Sequence, residues 1–144
     1  MNKINIKNLQ KKIKVNTLKL KTLANKVLKH QGVNSGELSV LLVDDSQISD
    51  LNKRYLNKNS ATDVLAFRMS DGKYGKINPE ILGDVVLSVD TAKAQACQLK
   101  VSVESEINLY LIHGILHLLG FCDKTKSGFK QMKKIQEELM DSYA

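Results

Sequence analysis

Apolar positions recur along the chain with two periods, and the change from one to the other predicts the elements. Ile4 and Ile6 alternate with polar neighbours, which predicts a short first strand. Leu20, Leu23, Ala24, Val27 and Leu28 then fall at helical spacing, with Asn16 placed as N-cap and Gly32 as the stop. Residues 38–43 predict a second strand. Asp44, with Gln47 three residues on, has the form of a capping box. The helix behind it would bury Ile48, Leu51 and Tyr55. Residues 64–67 predict a strand, and 69–80 a loop by their Gly, Asp, Asn and Pro content. Residues 85–89 predict a fourth strand, and Asp90 is placed to cap a helix over 91–99. A longer helix, from near Ser102 to Leu119, is apolar on nearly every face, so it belongs at the centre of the molecule. Ser127 would cap a last helix with Phe129, Met132, Ile135, Leu139 and Met140 inside.

Four strands and about five helices predict an α+β (α/β-like) fold, a small mixed four-stranded sheet flanked by helices. The strands at 38–43 and 64–67 are joined through a helix, which predicts that they run parallel. A length of 144 residues with 42% hydrophobic content fits one domain, 1–144, with one core. No apolar run reaches the ~18 residues a membrane span requires, and the N-terminus is no signal peptide. Two cysteines, Cys97 and Cys122, make no disulfide scaffold. The expectation is a cytoplasmic, reduced protein with no membrane partner.

Charge narrows the partners. The net charge is +7, and the first 36 residues hold nine Lys and no Asp or Glu. That balance fits a polyanion. Lys19, Lys21, Lys26 and Lys29, mostly on the polar side of the first helix, are candidates for RNA phosphate contacts. The competing reading is a solvated helix face in a chain where Lys outnumbers Arg twenty to two. Little aromatic interleaving accompanies these lysines, so a base-stacking platform is not indicated.

The candidate chemistry lies on the central helix. His113 and His117 are four residues apart, hence one turn apart on one face, where two imidazoles can chelate one ion. Gly120 allows a left-handed turn, and Asp123 follows three residues later. The pattern H-x-x-x-H-x-x-G-x-x-D has the ligand spacing of H-E-x-x-H-x-x-G-x-x-H metal hydrolases, with Asp at the third position. Burying two unpaired imidazoles among Leu and Ile costs several kcal/mol. A metal ion removes that cost, and three protein ligands leave a position open for water. Cys122 is the rival third ligand, although adjacent residues seldom both reach one ion. His30 is far away in sequence. The metalloprotease signature places a Glu base directly after the first His. Here that residue is Gly114, which argues against a peptidase.

Three segments together resemble the YbeY family of bacterial metallo-endoribonucleases, also called rRNA maturation factors. Leu51-Asn52-Lys53-Arg54-Tyr55, followed by Thr62-Asp63-Val64-Leu65-Ala66-Phe67, is similar to the family's LNxxYR and PTDVLSF. Leu82-Gly83-Asp84-Val85-Val86-Leu87-Ser88 is similar to LGDIxIS. His113-Gly114-Ile115-Leu116-His117-Leu118-Leu119-Gly120-Phe121 is similar to the opening of HGxLHLxGYDH. Order and spacing agree across nearly the whole chain. The resemblance implies a hydrolytic zinc ion, one per chain, held by three side chains, and single-stranded RNA as substrate. It further implies roles in small-subunit ribosomal RNA maturation and ribosome quality control, with the small ribosomal subunit as partner.

The chain departs from the family pattern at several positions. Cys122-Asp123 stands where the family has Asp-His, so Asp123 takes the third ligand position beside His113 and His117. Leu56 stands where the family often carries an Arg that faces RNA. Ala61 replaces Pro and Ala66 replaces Ser. Lys58 and Arg68, which flank the strand at 62–67, are candidates for the missing cation. Asp63 and Asp84, at strand boundaries, are candidates to accept a hydrogen bond from a ligand imidazole, against the plainer role of bonding local backbone. Three functional classes follow: a metal-dependent endoribonuclease, an RNA-binding ribosome-assembly factor with a weak or inactive metal site, and, remotely, a metallopeptidase.

Overall fold

The computed structural model describes residues 2–57, 63–68 and 81–144. Within them the chain runs β1 (Lys3–Asn8), α1 (Thr17–His30), β2 (Glu37–Val43), α2 (Asp45–Leu56), β3 (Val64–Arg68), β4 (Ile81–Ser88), α3 (Val89–Leu99), α4 (Val103–Leu118) and α5 (Lys126–Tyr143). The expected α+β fold is present, with four strands and five helices among the described residues. The predicted loop at 69–80 lies outside them, as do Ala61 and Thr62. None of the helices described is long and apolar enough to cross a membrane.

Short-range chemistry sets most helix starts. Asn16 accepts from the Lys19 N–H at 3.1 Å. Asp44 and Gln47 close the expected capping box, each side chain on the other's backbone N–H at 2.9 Å. Ser102 caps α4. Each such cap contributes about 1 kcal/mol. Two caps fall elsewhere than expected. Ser88, not Asp90, caps α3, and Thr125, not Ser127, caps α5. Asp90 is engaged at longer range: one carboxylate oxygen accepts from the Asp45 N–H at 2.9 Å and from Lys12 Nζ at 3.0 Å. Asp45 in turn accepts from the Ser88 and Thr91 hydroxyls at 2.6 and 2.8 Å. This network joins the starts of α2 and α3 to the segment before α1.

The sheet order is β1-β2-β4-β3. β1, β2 and β4 are mutually parallel, and β3 runs antiparallel to β4. The expected parallel pairing of the second and third strands is therefore corrected. β4 lies between them, and β3 returns against β4 as an antiparallel edge.

Alternation along the strands divides the interior in two. Leu38, Val40, Leu42, Val85 and Leu87 face a large core shared with α1 and α4. Val43, Leu65 and Val86 face a small core closed by Ile48 of α2. Two expected core residues are exposed, Tyr55 at 62% and Phe129 at 54%. The stripe of α2 instead buries Asn52, at 3% exposure. α4 is buried along most of its length, with Leu111, Ile112, Ile115 and Leu116 inaccessible to solvent. Burial of each such side chain stabilises the fold by roughly 1.5–3 kcal/mol.

The Asp90 network yields a pH-dependent expectation. The Asp45 N–H holds the Asp90 carboxyl below its ordinary value; burial opposes it, and the Lys12 ammonium adds to the lowering. Its stabilising contribution is complete above the unfolded carboxylate range, ~3.9. It is lost as pH falls through the lower folded value. Asp90→Asn should destabilise the protein at pH 7 by about 1 kcal/mol. Urea unfolding should show the gap from the parent protein closing in strong acid, and a gap independent of pH would count against this account.

Candidate metal centre

α4 ends at the site because its C-terminus is a Schellman turn. The Gly120 N–H bonds the His117 carbonyl at 3.1 Å, and the Phe121 N–H bonds the Leu116 carbonyl at 3.0 Å. Gly120 takes the required left-handed conformation, φ +100°. The turn brings the Phe121 carbonyl back over the helix, where it accepts from His117 Nδ1 at 3.1 Å. His113 Nδ1 meets Oε1 of Gln136, which reaches across from α5. Both partners are oxygen acceptors, an arrangement that favours the proton on Nδ1 and a bare Nε2 on each imidazole.

The two Nε2 atoms lie 2.9 Å apart. Asp123 Oδ2 stands 3.6 Å from that of His113 and 3.7 Å from that of His117. These separations bracket the ~3.3 Å edge of a tetrahedron with ~2.0 Å bonds. Two facing lone pairs and a carboxylate have no proton to share, and a cation among them resolves the repulsion. The donor set thus fits a divalent ion. The three ligand atoms lie within 4.8 Å of one another, as the sequence spacing predicts. Cys122 is exposed and outside this group. Burial, then the neighbouring His113, lower the pKa of His117, with partial opposition from Asp123 and the Phe121 carbonyl. Both larger effects favour the neutral, ligating imidazole.

Gly114 lies against the sheet. A Cβ there would stand 2.6 Å from Val85 Cγ1 and 3.2 Å from Val64 Cγ2. The position where a metallopeptidase carries its Glu therefore points into β3 and β4, away from the donors.

The other candidates are distributed as follows. Arg68, at the end of β3, brings Nη2 to 4.0 Å from where a Gly120 Cβ would stand, beside the centre. Lys58 lies outside the described residues. Asp63 accepts from the following Val64 N–H at 2.8 Å, the local backbone role. Asp84 shares its sheet face with Val86, so the sheet separates it from the histidines. It lies with Leu41, Leu51, Tyr55, Phe67 and Val86 around a cavity of about 290 Å³. There burial raises its pKa and Ser39 partly offsets the rise. Lys19 is 3.9 Å from Glu104, in the first turn of α4. Nine residues separate Glu104 from His113, about 14 Å along the helix. Lys26 lies over the Tyr143 ring at 5.9 Å, and His30 packs edge-on to the same ring at 6.0 Å. Lys19 and Lys26, which line one groove with Glu104 and Asn108, thus lie at the other end of α4 from the donors.

Gln136 went unidentified in the sequence. Its signal is a polar residue inside an apolar stripe, four after Met132 and three before Leu139. Gly128 is a second such residue. A Cβ there would stand 2.1 Å from the Cys122 carbonyl, so its absence lets the first turn of α5 clasp the loop that carries Asp123.

Fold and site together define a class: small α+β proteins whose buried central helix offers a His-x-x-x-His pair and, past a glycine turn, a third donor to a metal ion. A sequence profile described as Endoribonuclease YbeY matches residues 5–144, and the chain belongs to the YbeY family. Among similar proteins named Endoribonuclease YbeY, that of Aquifex aeolicus (strain VF5) is 45% identical over 127 residues, 88% of this chain and 81% of its own. That of Syntrophus aciditrophicus (strain SB) is 37% identical over 138 residues, 94% and 86% of the respective lengths. The solution structure of a Thermotoga maritima protein superposes with a TM-score of 0.63 at 26% identity. That match covers 97% of this chain and 91% of the other.

Two expectations follow. Metal analysis of the purified protein should find about one divalent ion per chain, retained by Cys122→Ser and held at least tenfold more weakly by Asp123→Ala. The reverse outcome would make the thiolate the ligand. Gln136→Leu should weaken metal affinity roughly 10–100-fold, since it removes the acceptor that fixes the His113 tautomer. A chelator competition titration measures this.

Proposed function

We propose that this chain is a single-strand-specific, zinc-dependent endoribonuclease of the cytoplasm that acts in small-subunit ribosomal RNA maturation and ribosome quality control. The observation that carries the reading is the convergence of His113 Nε2, His117 Nε2 and Asp123 Oδ2 on one point, in a chain of the YbeY family. His113, His117 and Asp123 would hold the ion. Zinc bound there would supply Lewis-acid polarisation of a phosphate oxygen and acidification of water.

The chain's own residues set the rest. Gln136 and the Phe121 carbonyl fix the donor directions. Asp123 brings a negative charge where the family has a neutral imidazole, which leaves the site near +1 in place of about +2. Among the described residues, Arg68, beside the Gly120 turn, is a cation that could take the role assigned to the family's Arg at the position of Leu56. Its guanidinium would donate to nonbridging phosphate oxygens as charge develops.

A second reading, an RNA-binding assembly factor with a weak site, is supported by Leu56 itself. It is exposed at the end of α2 and cannot donate to phosphate.

One experiment separates the two. The zinc-loaded protein should cut a single-stranded RNA, and His117→Ala should not. Arg68→Ala should lower kcat roughly a hundredfold. Asp123→His should retain the metal and move the acidic limb of the pH–rate profile to lower pH, because the neutral ligand leaves more positive charge at the site. Binding without cleavage by the metal-loaded protein would establish the assembly-factor reading.

A further inference from the structure

The first half of α5, with Lys124 just before it, carries the second concentration of positive charge. Lys124, Lys126, Lys130, Lys133 and Lys134 are all exposed, and no Asp or Glu occurs from 124 to 136. At 100° per residue, Lys126, Lys130 and Lys133 fall within an arc of about 60°, with Lys134 about 40° beyond it. Phe129 lies on the adjacent strip, between these lysines and Gln136, and is 54% exposed. The segment begins three residues after Asp123, its Gln136 touches His113 and its Gly128 lies on the Cys122 carbonyl. An open groove of about 680 Å³, lined by Gly120, Phe121, Cys122, Thr125 and Gln131, connects the turn at the metal centre to the helix.

The charge order on α5 opposes its own dipole. Cations belong at a helix C-terminus and anions at the N-terminus. Here the lysines occupy the opening turns, the first turn has no acid, and Glu137, Glu138 and Asp141 follow toward the end. Lys126 with Lys130, and Lys130 with Lys134, are like-charge pairs at i,i+4, which also destabilise a helix. Helix stability therefore does not account for Lys126 and Lys130, whereas Lys133 and Lys134 also have Glu137 and Glu138 as i,i+4 partners. An anionic strand laid across the stripe accounts for Lys126 and Lys130, and an aromatic face beside a basic stripe is the combination that holds single-stranded nucleic acid.

We propose that the lysine stripe of α5, with Phe129 at its edge, is the track along which a single-stranded RNA reaches the metal centre. The inference rests on the endoribonuclease reading and supplies its substrate path. It assigns that path to α5 in preference to the α1 lysines, of which Lys19 and Lys26 lie at the other end of α4.

The test compares two variants with the parent protein. One is Lys126→Gln/Lys130→Gln/Lys133→Gln/Lys134→Gln, and the other is Lys19→Gln/Lys21→Gln/Lys26→Gln/Lys29→Gln. Fluorescence anisotropy with a labelled single-stranded RNA, under chelator to stop turnover, is read across a salt series. Loss of two to four phosphate contacts should lower the slope of log K against log salt by about 1.4–2.8. The α5 variant should show that loss and bind at least tenfold more weakly. It should also raise KM with kcat nearly unchanged in the zinc-loaded cleavage assay. Its Tm should stay within a few degrees of the parent's, since relief of the like charges at the helix start offsets loss of the Lys133–Glu137 and Lys134–Glu138 pairs, and this separates lost contact from lost structure. Phe129→Ala should weaken binding several-fold at unchanged slope. The α1 variant should behave as the parent. If the parent binds and cuts RNA while the α5 variant keeps its affinity and slope, or the α1 variant alone loses them, the track is wrong and the endoribonuclease reading stands. If the parent neither binds nor cuts RNA, both fall.

Discussion

The approach of α4 to the sheet at Gly114 is the contact on which the arrangement depends. Val85 and Val64 occupy the space a side chain at 114 would need. One methyl group there would have to displace β4 or lift the helix, and overpacking of this kind costs about 1–3 kcal/mol. With the helix seated, Leu111, Ile112, Ile115 and Leu116 are enclosed, and α1, α3 and α5 pack around the remaining faces. The same seating brings the last turn of α4 out at the protein surface beside the end of β3. His113 and His117 therefore stand half-buried at the border of the core, where Arg68 and the start of α5 can meet them.

At that border the imidazoles are oriented by two acceptors of different origin. The Phe121 carbonyl comes from the turn that ends the helix, so the device that stops α4 also sets the tautomer of His117. Gln136 comes from α5, a separate element, and sets that of His113. With both protons turned outward, the Nε2 lone pairs face each other and the Asp123 carboxylate. Bare, the three donors repel. With a cation among them, each is satisfied. Hydrogen bonds made away from the three donors thus suit them to an ion, as neighbouring groups tune metal centres in general. Asp123 in place of a neutral third ligand adds to the attraction for the ion and lowers the positive charge the ion can offer to a substrate.

A net charge of +7 does not say where a polyanion would lie. The nine lysines before residue 37 are the conspicuous run, yet Lys19 sits near Glu104 and Lys26 over Tyr143, at the end of α4 remote from the donors. The four lysines of α5 are fewer, but helical folding places three of them in one stripe beside the centre. Lys126 stands there against the helix dipole and at i,i+4 to the like charge of Lys130, a placement the local helix does not favour.

What the sequence determined alone is what depends on neighbours within about one helical turn. The caps at Asn16, Asp44 and Ser102, the burial of α4, the Gly120 turn and the grouping of His113, His117 and Asp123 follow from spacing, since a helix fixes the geometry of i and i+4 and a glycine turn returns the chain at once. The tertiary structure decided whatever needs a partner distant in sequence. β4 inserts between β2 and β3 and makes β3 antiparallel. Asp90 bonds Asp45 and Lys12 in place of its own helix. Asp84 lies across the sheet from the histidines, and Gln136 lies against one of them. Tyr55 and Phe129 satisfy the apolar period of their helices but are exposed, because periodicity gives the direction of a side chain and not whether another element covers it. Short-range geometry is encoded in adjacent residues, whereas coverage and pairing are set by which surfaces win the competition for burial across the whole chain.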